Sequence, residues 1–191
     1  MTGLLFIRHA ETDMAGTFCG HSDPPLNARG QQQVAHIISS LMLEPIDEIY
    51  SSDLRRATET AASLSQAFSA PVTTTGGLRE IHFGDWEGLT WTEIESRDAE
   101  YAGQWLEAFP ALPAPNGEHA SSFEARVLQV VDQLLSLAKT RRIAVVTHGG
   151  VMRAVLRTLL ACDEQQAWEM TKPYCSSFYY METIPTQRRI R

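Results

Sequence analysis

The stretch Leu4-Leu-Phe-Ile-Arg-His-Ala-Glu-Thr12 opens with four apolar residues and stops at a guanidinium beside an imidazole. A second stretch repeats the design: Arg142-Ile-Ala-Val-Val-Thr-His148, followed by Gly149-Gly150. A continuous apolar run of this length reads as a strand covered on both faces, as in a largely parallel sheet. Two such strands ending in histidine, at His9 and His148, decide the reading of the chain. In open α/β sheets ligands bind beyond the carboxyl ends of the strands. If the two strands are neighbours, the two histidines meet there.

The rest of the chain alternates in the same sense. Residues 46–52 and 70–75 read as strands, and 176–182 as a late one. Residues 23–42 turn through Pro24-Pro25 and become helical, with Asn27 as N-cap and Val34, Ile37, Ile38 and Leu41 on one stripe. Residues 53–68 form a helix with Leu54, Ala57, Ala61, Leu64 and Phe68 inward. Phe123, Val127, Val130, Val131 and Leu134 mark another, and Gly149-Gly150 opens one through Val151, Ala154, Val155, Thr158 and Leu159. Residues 76–118, rich in Trp, Gly and Pro, read as a cap-like insertion with one helix from Thr92 to Phe109. The basic tail 187–191 reads as solvated or an edge strand. The expected fold is α/β, a three-layer sandwich: a mixed, mostly parallel central sheet with helices on both faces, in one domain over 1–191.

Bulk properties narrow the function. The 191 residues carry a formal net charge of −7, a poor basis for binding nucleic acid without sequence preference. No apolar run approaches a membrane span, and the N-terminus has no signal-peptide pattern, so a cytoplasmic location is expected. Cys19, Cys162 and Cys175 show no metal spacing and read as small buried thiols. A small anionic substrate remains open, because local arginines override global charge.

Those arginines are present. Arg8 precedes His9, and Arg55-Arg56 open the helix after the second strand, where free N–H groups favour anions. One of that pair is expected to be solvated. Glu80 lies in Leu78-Arg-Glu-Ile-His-Phe-Gly-Asp-Trp-Glu-Gly88. Taken singly, each of these residues reads as ordinary structure. Together, two guanidiniums suit a phosphate dianion. A neutral imidazole attacks phosphorus, and a carboxylic acid protonates a leaving alkoxide. This chemistry needs neither metal nor cofactor.

The pattern resembles the histidine phosphatase superfamily, in the branch of phosphoglycerate mutases and small phosphatases. The residues that carry the resemblance are Arg8–Thr12; Asp23, Pro25, Leu26, Gly30 and Gln33; Ser52–Ala61; Leu78–Gly88; Pro115, Gly117, Glu118, Phe123, Arg126 and Val127; and Thr147–Gly150. It implies His9 as the phosphorylated nucleophile, Arg8 and Arg56 as phosphate holders and His148 as a donor to a phosphate oxygen. It implies Glu80 as acid and then base, and a phosphate contact from the N–H of Gly149. Gly20 and His21 are added as substrate-binding candidates. Two positions depart from the pattern: Ala10 replaces glycine, and Ala15 replaces a phosphate-contacting asparagine, for which His21 is a candidate substitute.

Residues 83–127 are similar to α-ribazole phosphatases of cobalamin biosynthesis, with Trp86, Trp91, Tyr101 and Trp105 either facing the leaving group or packing the cap. The short chain favours a phosphatase over a mutase. A broad-specificity or sugar phosphatase stays open, as does a catalytically weak phosphate-binding module. A metal hydrolase finds no HExxH or other paired-histidine spacing. The expected partner is a small phosphorylated metabolite, and a homodimer is left open.

Overall fold

The computed structural model describes residues 3–42 and 45–181. Its sheet has five strands in the order β3-β2-β4-β1-β5. These are β1 (Leu4–Arg8), β2 (Glu48–Ser52), β3 (Val72–Thr75), β4 (Ile143–Thr147) and β5 (Ser177–Tyr180). The first four are parallel, and β5 pairs antiparallel with β1 at the edge. The two strands that end in histidine are neighbours, with Arg8 opposite Thr147 and the His9 N–H donating to the Thr147 carbonyl at 2.8 Å.

Alternation along β1 and β4 sends side chains to both faces. Leu4, Phe6, Ile143 and Val145 pack against α5 (Ala120–Ala138) and α6 (Gly149–Leu160). Leu5, Ile7, Ala144 and Val146 pack against α1 (Ala28–Leu41) and α2 (Arg55–Phe68). Both strands are almost wholly buried, as the unbroken apolar runs require. Asn27 caps α1, its side chain accepting from the Gly30 N–H at 2.8 Å.

The segment after β3 differs from the reading at one point. The expected helix over Thr92–Phe109 is two: α3 (Trp91–Arg97) and α4 (Ala99–Ala108). Asp98 separates them, ending α3 and capping α4 through the Tyr101 N–H at 2.9 Å. An aromatic cluster of Phe18, Phe83, Trp86, Trp91, Tyr101 and Trp105 forms beside these helices, distinct from the two sheet-facing cores. A further helix, α7 (Glu164–Thr171), lies where none was expected. The three cysteines are free and half-buried rather than buried, because each falls in a loop. The basic tail, with Glu182, lies outside the described residues. No helix among the described residues is long and apolar enough to cross a membrane.

Candidate active site

The parallel pairing of β1 and β4 puts His9 and His148 side by side, with ring centroids 5.0 Å apart. His9 Nδ1 lies 2.7 Å from its neighbour Ala10's carbonyl oxygen, which can only accept, so Nδ1 carries the hydrogen. The lone pair is therefore on Nε2, where it accepts from Arg56 Nε–H at 3.2 Å. Burial first, then the charges of Arg56 and Arg8, hold the pKa of His9 well below the usual imidazole value; the bond to Ala10 opposes this. His148 is fully buried and shifted the same way, again chiefly by burial and then by Arg56. Its Nε2 lies 2.8 Å from Ser52 Oγ, and its Nδ1 is buried without a partner.

These directions set an expectation for acid. Both histidines are neutral in the folded protein, whereas in the unfolded chain they take up protons below about pH 6.5. Stability is fully present above that pH. It falls as pH drops through 6.5 toward the lower folded pKa values, by up to about 1.4 kcal/mol per pH unit for each histidine. Urea unfolding at pH 7.5 and 5.5 measures this. By the same sign, the acid limb of kcat/KM from His9 lies below about pH 6.5.

Arg8 and Arg56 take different places. Arg8 lines the cavity above His9, its Nη1 donating to the carbonyls of Thr171 (3.0 Å) and Lys172 while its Nε is buried and unpartnered. Arg56 is 1% exposed and does not line the cavity. Its terminal nitrogens donate to the carbonyls of Ser22 (2.6 Å), Cys19 (3.2 Å) and Gly20 (2.7 Å), so it braces the 19–22 loop as well as His9. Arg55 is the solvated member of the pair, joined to Glu59 at 2.7 Å. The N-terminus of α2 already holds an anion of the protein's own: Asp23 accepts from the Arg55 N–H.

Glu80 is nearly buried, its oxygens accepting from the N–H groups of Ile81 (2.9 Å) and Gly150 (2.8 Å). A Cβ on Gly150 would lie 2.0 Å from Glu80 Oε1, so only glycine admits the carboxylate to the start of α6. The Glu80 backbone is held in turn. Arg126 donates to the carbonyls of Gly77 (3.1 Å), Arg79 (2.8 Å) and Glu80 (2.9 Å), and it pairs with Glu118 through two bonds of 2.7 and 2.8 Å. Arg79 is clamped to Asp53, just past β2.

Gly20 and His21 are not among the cavity-lining residues. A Cβ on Gly20 would sit 2.2 Å from the Ile81 carbonyl, and His21 Nε2 meets the Glu80 carbonyl at 3.1 Å. Both take part in packing the 19–22 loop against the Glu80 segment. Ala15 is exposed and also away from the lining, and Ala10 keeps an ordinary negative φ, so its methyl is accommodated.

Three residues went unrecognised in the sequence. Glu87 accepts from the N–H groups of Gly20 (3.1 Å), His21 (2.8 Å), Ser22 (2.9 Å) and Phe83 (3.0 Å), and from Ser22 Oγ (2.6 Å). Its place in the Trp86-Glu87-Gly88 turn was the available signal. Glu87→Gln sets an amide NH₂ against those donors and is expected to cost about 1.5–3 kcal/mol, read as a lower midpoint in urea. Tyr174 lines the cavity, with its ring 5.6 Å from His9 and 4.1 Å under the Arg8 guanidinium. Arg153, on α6, also lines it.

The cavity measures about 790 Å³. Arg8, His9, Glu80, Gly149 and Gly150 are among its lining residues. Trp91, Trp105, Leu106, Phe109 and Leu112 form an apolar wall. Of the four cap aromatics singled out in the sequence, Trp91 and Trp105 reach the cavity. Trp86 is buried behind them, and Tyr101 donates to the Pro113 carbonyl at 2.9 Å.

A profile of the histidine phosphatase superfamily (branch 1) matches residues 4–188. The chain belongs to the histidine phosphatase superfamily. Similar members of the superfamily are phosphatases. The adenosylcobalamin/alpha-ribazole phosphatase of Salmonella typhimurium is 29% identical over 167 residues, 86% of this chain and 83% of the relative. Phosphoserine phosphatase 1 of Hydrogenobacter thermophilus is 30% identical over 170 residues, 88% of this chain and 81% of the relative. The solved alpha-ribazole phosphatase of Shigella flexneri superimposes with a TM-score of 0.79 at 29% identity, covering 88% of this chain and 84% of that one. The chain is a phosphatase of this superfamily, with the α/β fold its sequence predicts.

Proposed function

We propose that the chain hydrolyses a small phosphomonoester through a phosphohistidine on His9, with α-ribazole 5′-phosphate as its substrate. The observation that carries the mechanism is the fixed tautomer of His9. Ala10 holds the hydrogen on Nδ1, which leaves the lone pair on Nε2, and attack by Nε2 replaces its 3.2 Å bond from Arg56 Nε–H. Nε2 attacks phosphorus and the bond from phosphorus to the ester oxygen breaks. Glu80, in its protonated form, gives that oxygen its proton. The departing alcohol leaves a phosphoryl group on Nε2. Glu80, now a carboxylate, takes a proton from water; the hydroxide attacks phosphorus, the P–N bond breaks, and inorganic phosphate is released. Arg8 donates to the phosphoryl oxygens, where negative charge is concentrated; His148 Nδ1, the donor that the resemblance implies, has no partner but is buried and outside the cavity lining.

The substrate reading rests on the far wall. A planar, largely apolar base on a ribose suits a surface of Trp91, Trp105 and Phe109. The likeness to alpha-ribazole phosphatases supports it, and the likeness to phosphoserine phosphatase 1 supports the broader alternative. Phosphate release in EDTA separates them, measured with α-ribazole 5′-phosphate, phosphoserine, 3-phosphoglycerate and p-nitrophenyl phosphate. A kcat/KM for α-ribazole 5′-phosphate at least about 100-fold above the others is expected, a margin of about 2.7 kcal/mol. Turnover is expected to be unchanged by the chelator. A flat profile would refute the assigned substrate while leaving the phosphatase intact.

A further inference from the structure

We infer that Arg153 supplies a further guanidinium to the phosphoryl pocket, binding the non-bridging oxygens of the group carried to His9. The inference rests on the phosphatase reading of that site. Arg153 stands one helical turn after Gly149 on α6 and lines the cavity. A Cβ on Gly149 would lie 3.2 Å from Arg153 Nη1 and 3.6 Å from Arg8 Nε. The two guanidiniums thus face the same point at the start of α6, where the helix N-terminus adds its own positive end.

The cations around the cavity differ in what already occupies them. The terminal nitrogens of Arg56 are committed to loop carbonyls. Arg157, one turn beyond Arg153, is paired with Glu164 at 3.0 Å and Glu124 at 3.9 Å. Arg153 has no carboxylate within 4.0 Å among the described residues. Its guanidinium stacks on the Trp168 ring at 4.9 Å. Stacking fixes the plane of the group and leaves its N–H edge free to bind an anion. Arg8 Nε, buried and unpartnered, waits beside it. Burial is the largest influence lowering the pKa of Arg8, and of its two arginine neighbours Arg153 lowers it more than Arg56. Tyr174 and Glu80 oppose that shift and weigh more than either arginine, but Arg8 and Arg153 still face one point, and a phosphoryl dianion placed there is attracted to both.

The test is binding of inorganic phosphate to the resting protein by isothermal titration calorimetry, which needs no turnover. Arg153→Met keeps the helix-forming stem and removes the charge. It is expected to weaken phosphate about ten- to a hundredfold. It should lower kcat/KM by a similar factor for p-nitrophenyl phosphate and phosphoserine alike, since they share only the phosphoryl group. Phosphate affinity equal to wild type overturns the inference. So does a loss confined to phosphoserine, which would assign Arg153 to the substrate's carboxylate. Should Arg153→Met not fold, Arg153→Lys serves: it keeps the charge, loses the fork, and is expected to bind phosphate several-fold more weakly. Failure of the phosphatase reading would show separately, as a wild-type protein that releases no phosphate from any ester.

Discussion

His9→Ala is expected to lower phosphate release by about 10⁴-fold or more and to eliminate the phosphoenzyme. The size follows from what the side chain does. In the proposed mechanism Nε2 forms the covalent bond, and the neighbouring imidazole, His148, is fully buried and outside the cavity lining, so it does not replace it. The arginines would remain to bind phosphate, so the variant is expected to keep substrate affinity within a few-fold while losing turnover. Single-turnover kinetics with saturating substrate separate the two. Substantial residual turnover with a phosphorylated protein would place the nucleophile elsewhere.

Glu80→Gln is expected to act unequally on different leaving groups. For an alkyl phosphate the departing alkoxide needs a proton, and losing the general acid costs about 10²–10⁴-fold. For p-nitrophenyl phosphate the leaving phenolate needs none, so its transfer to His9 is far less affected. The second step loses its base with both substrates, so the phosphoenzyme accumulates. The contrast between substrates carries the test, because a general disturbance of the Gly150 and Ile81 contacts would slow both alike. Full turnover of an alkyl phosphate by Glu80→Gln would remove Glu80 from the role of acid.

Much of this site was legible because its parts sit at ends of strongly patterned elements. The apolar runs before His9 and His148 identify two buried strands from composition alone. Their adjacency needed the structure, since strand order is set by how the crossovers pack and not by local sequence. Asp98 shows a different limit. Its neighbourhood reads as one helix by apolar spacing, yet its side chain competes for the backbone and starts a new one. The helix Glu164–Thr171 offered little pattern, burying only Ala167 and Thr171.

The missed site residues share a cause. Arg153 is a charged residue inside an amphipathic helix, which reads as a solvated position. Tyr174 is a lone aromatic in a loop, and only the fold carries it back to Arg8 and His9. Glu87 works through five donors that no spacing rule connects. Arg56 shows the reverse. Its helix-start position pointed to an anion, but the structure fills that helix end with Asp23 and sends the guanidinium to His9 and the 19–22 loop.

The central claim is the covalent intermediate, and the most direct measurement is rapid quenching of the enzyme with a phosphate-labelled monoester under base. Labelled protein is expected within the first turnover, approaching a single phosphoryl group per chain in Glu80→Gln, stable in base, labile in acid, and mapped to His9. Release of labelled phosphate in a single turnover with no labelled protein at any time, in either the wild type or Glu80→Gln, would contradict it.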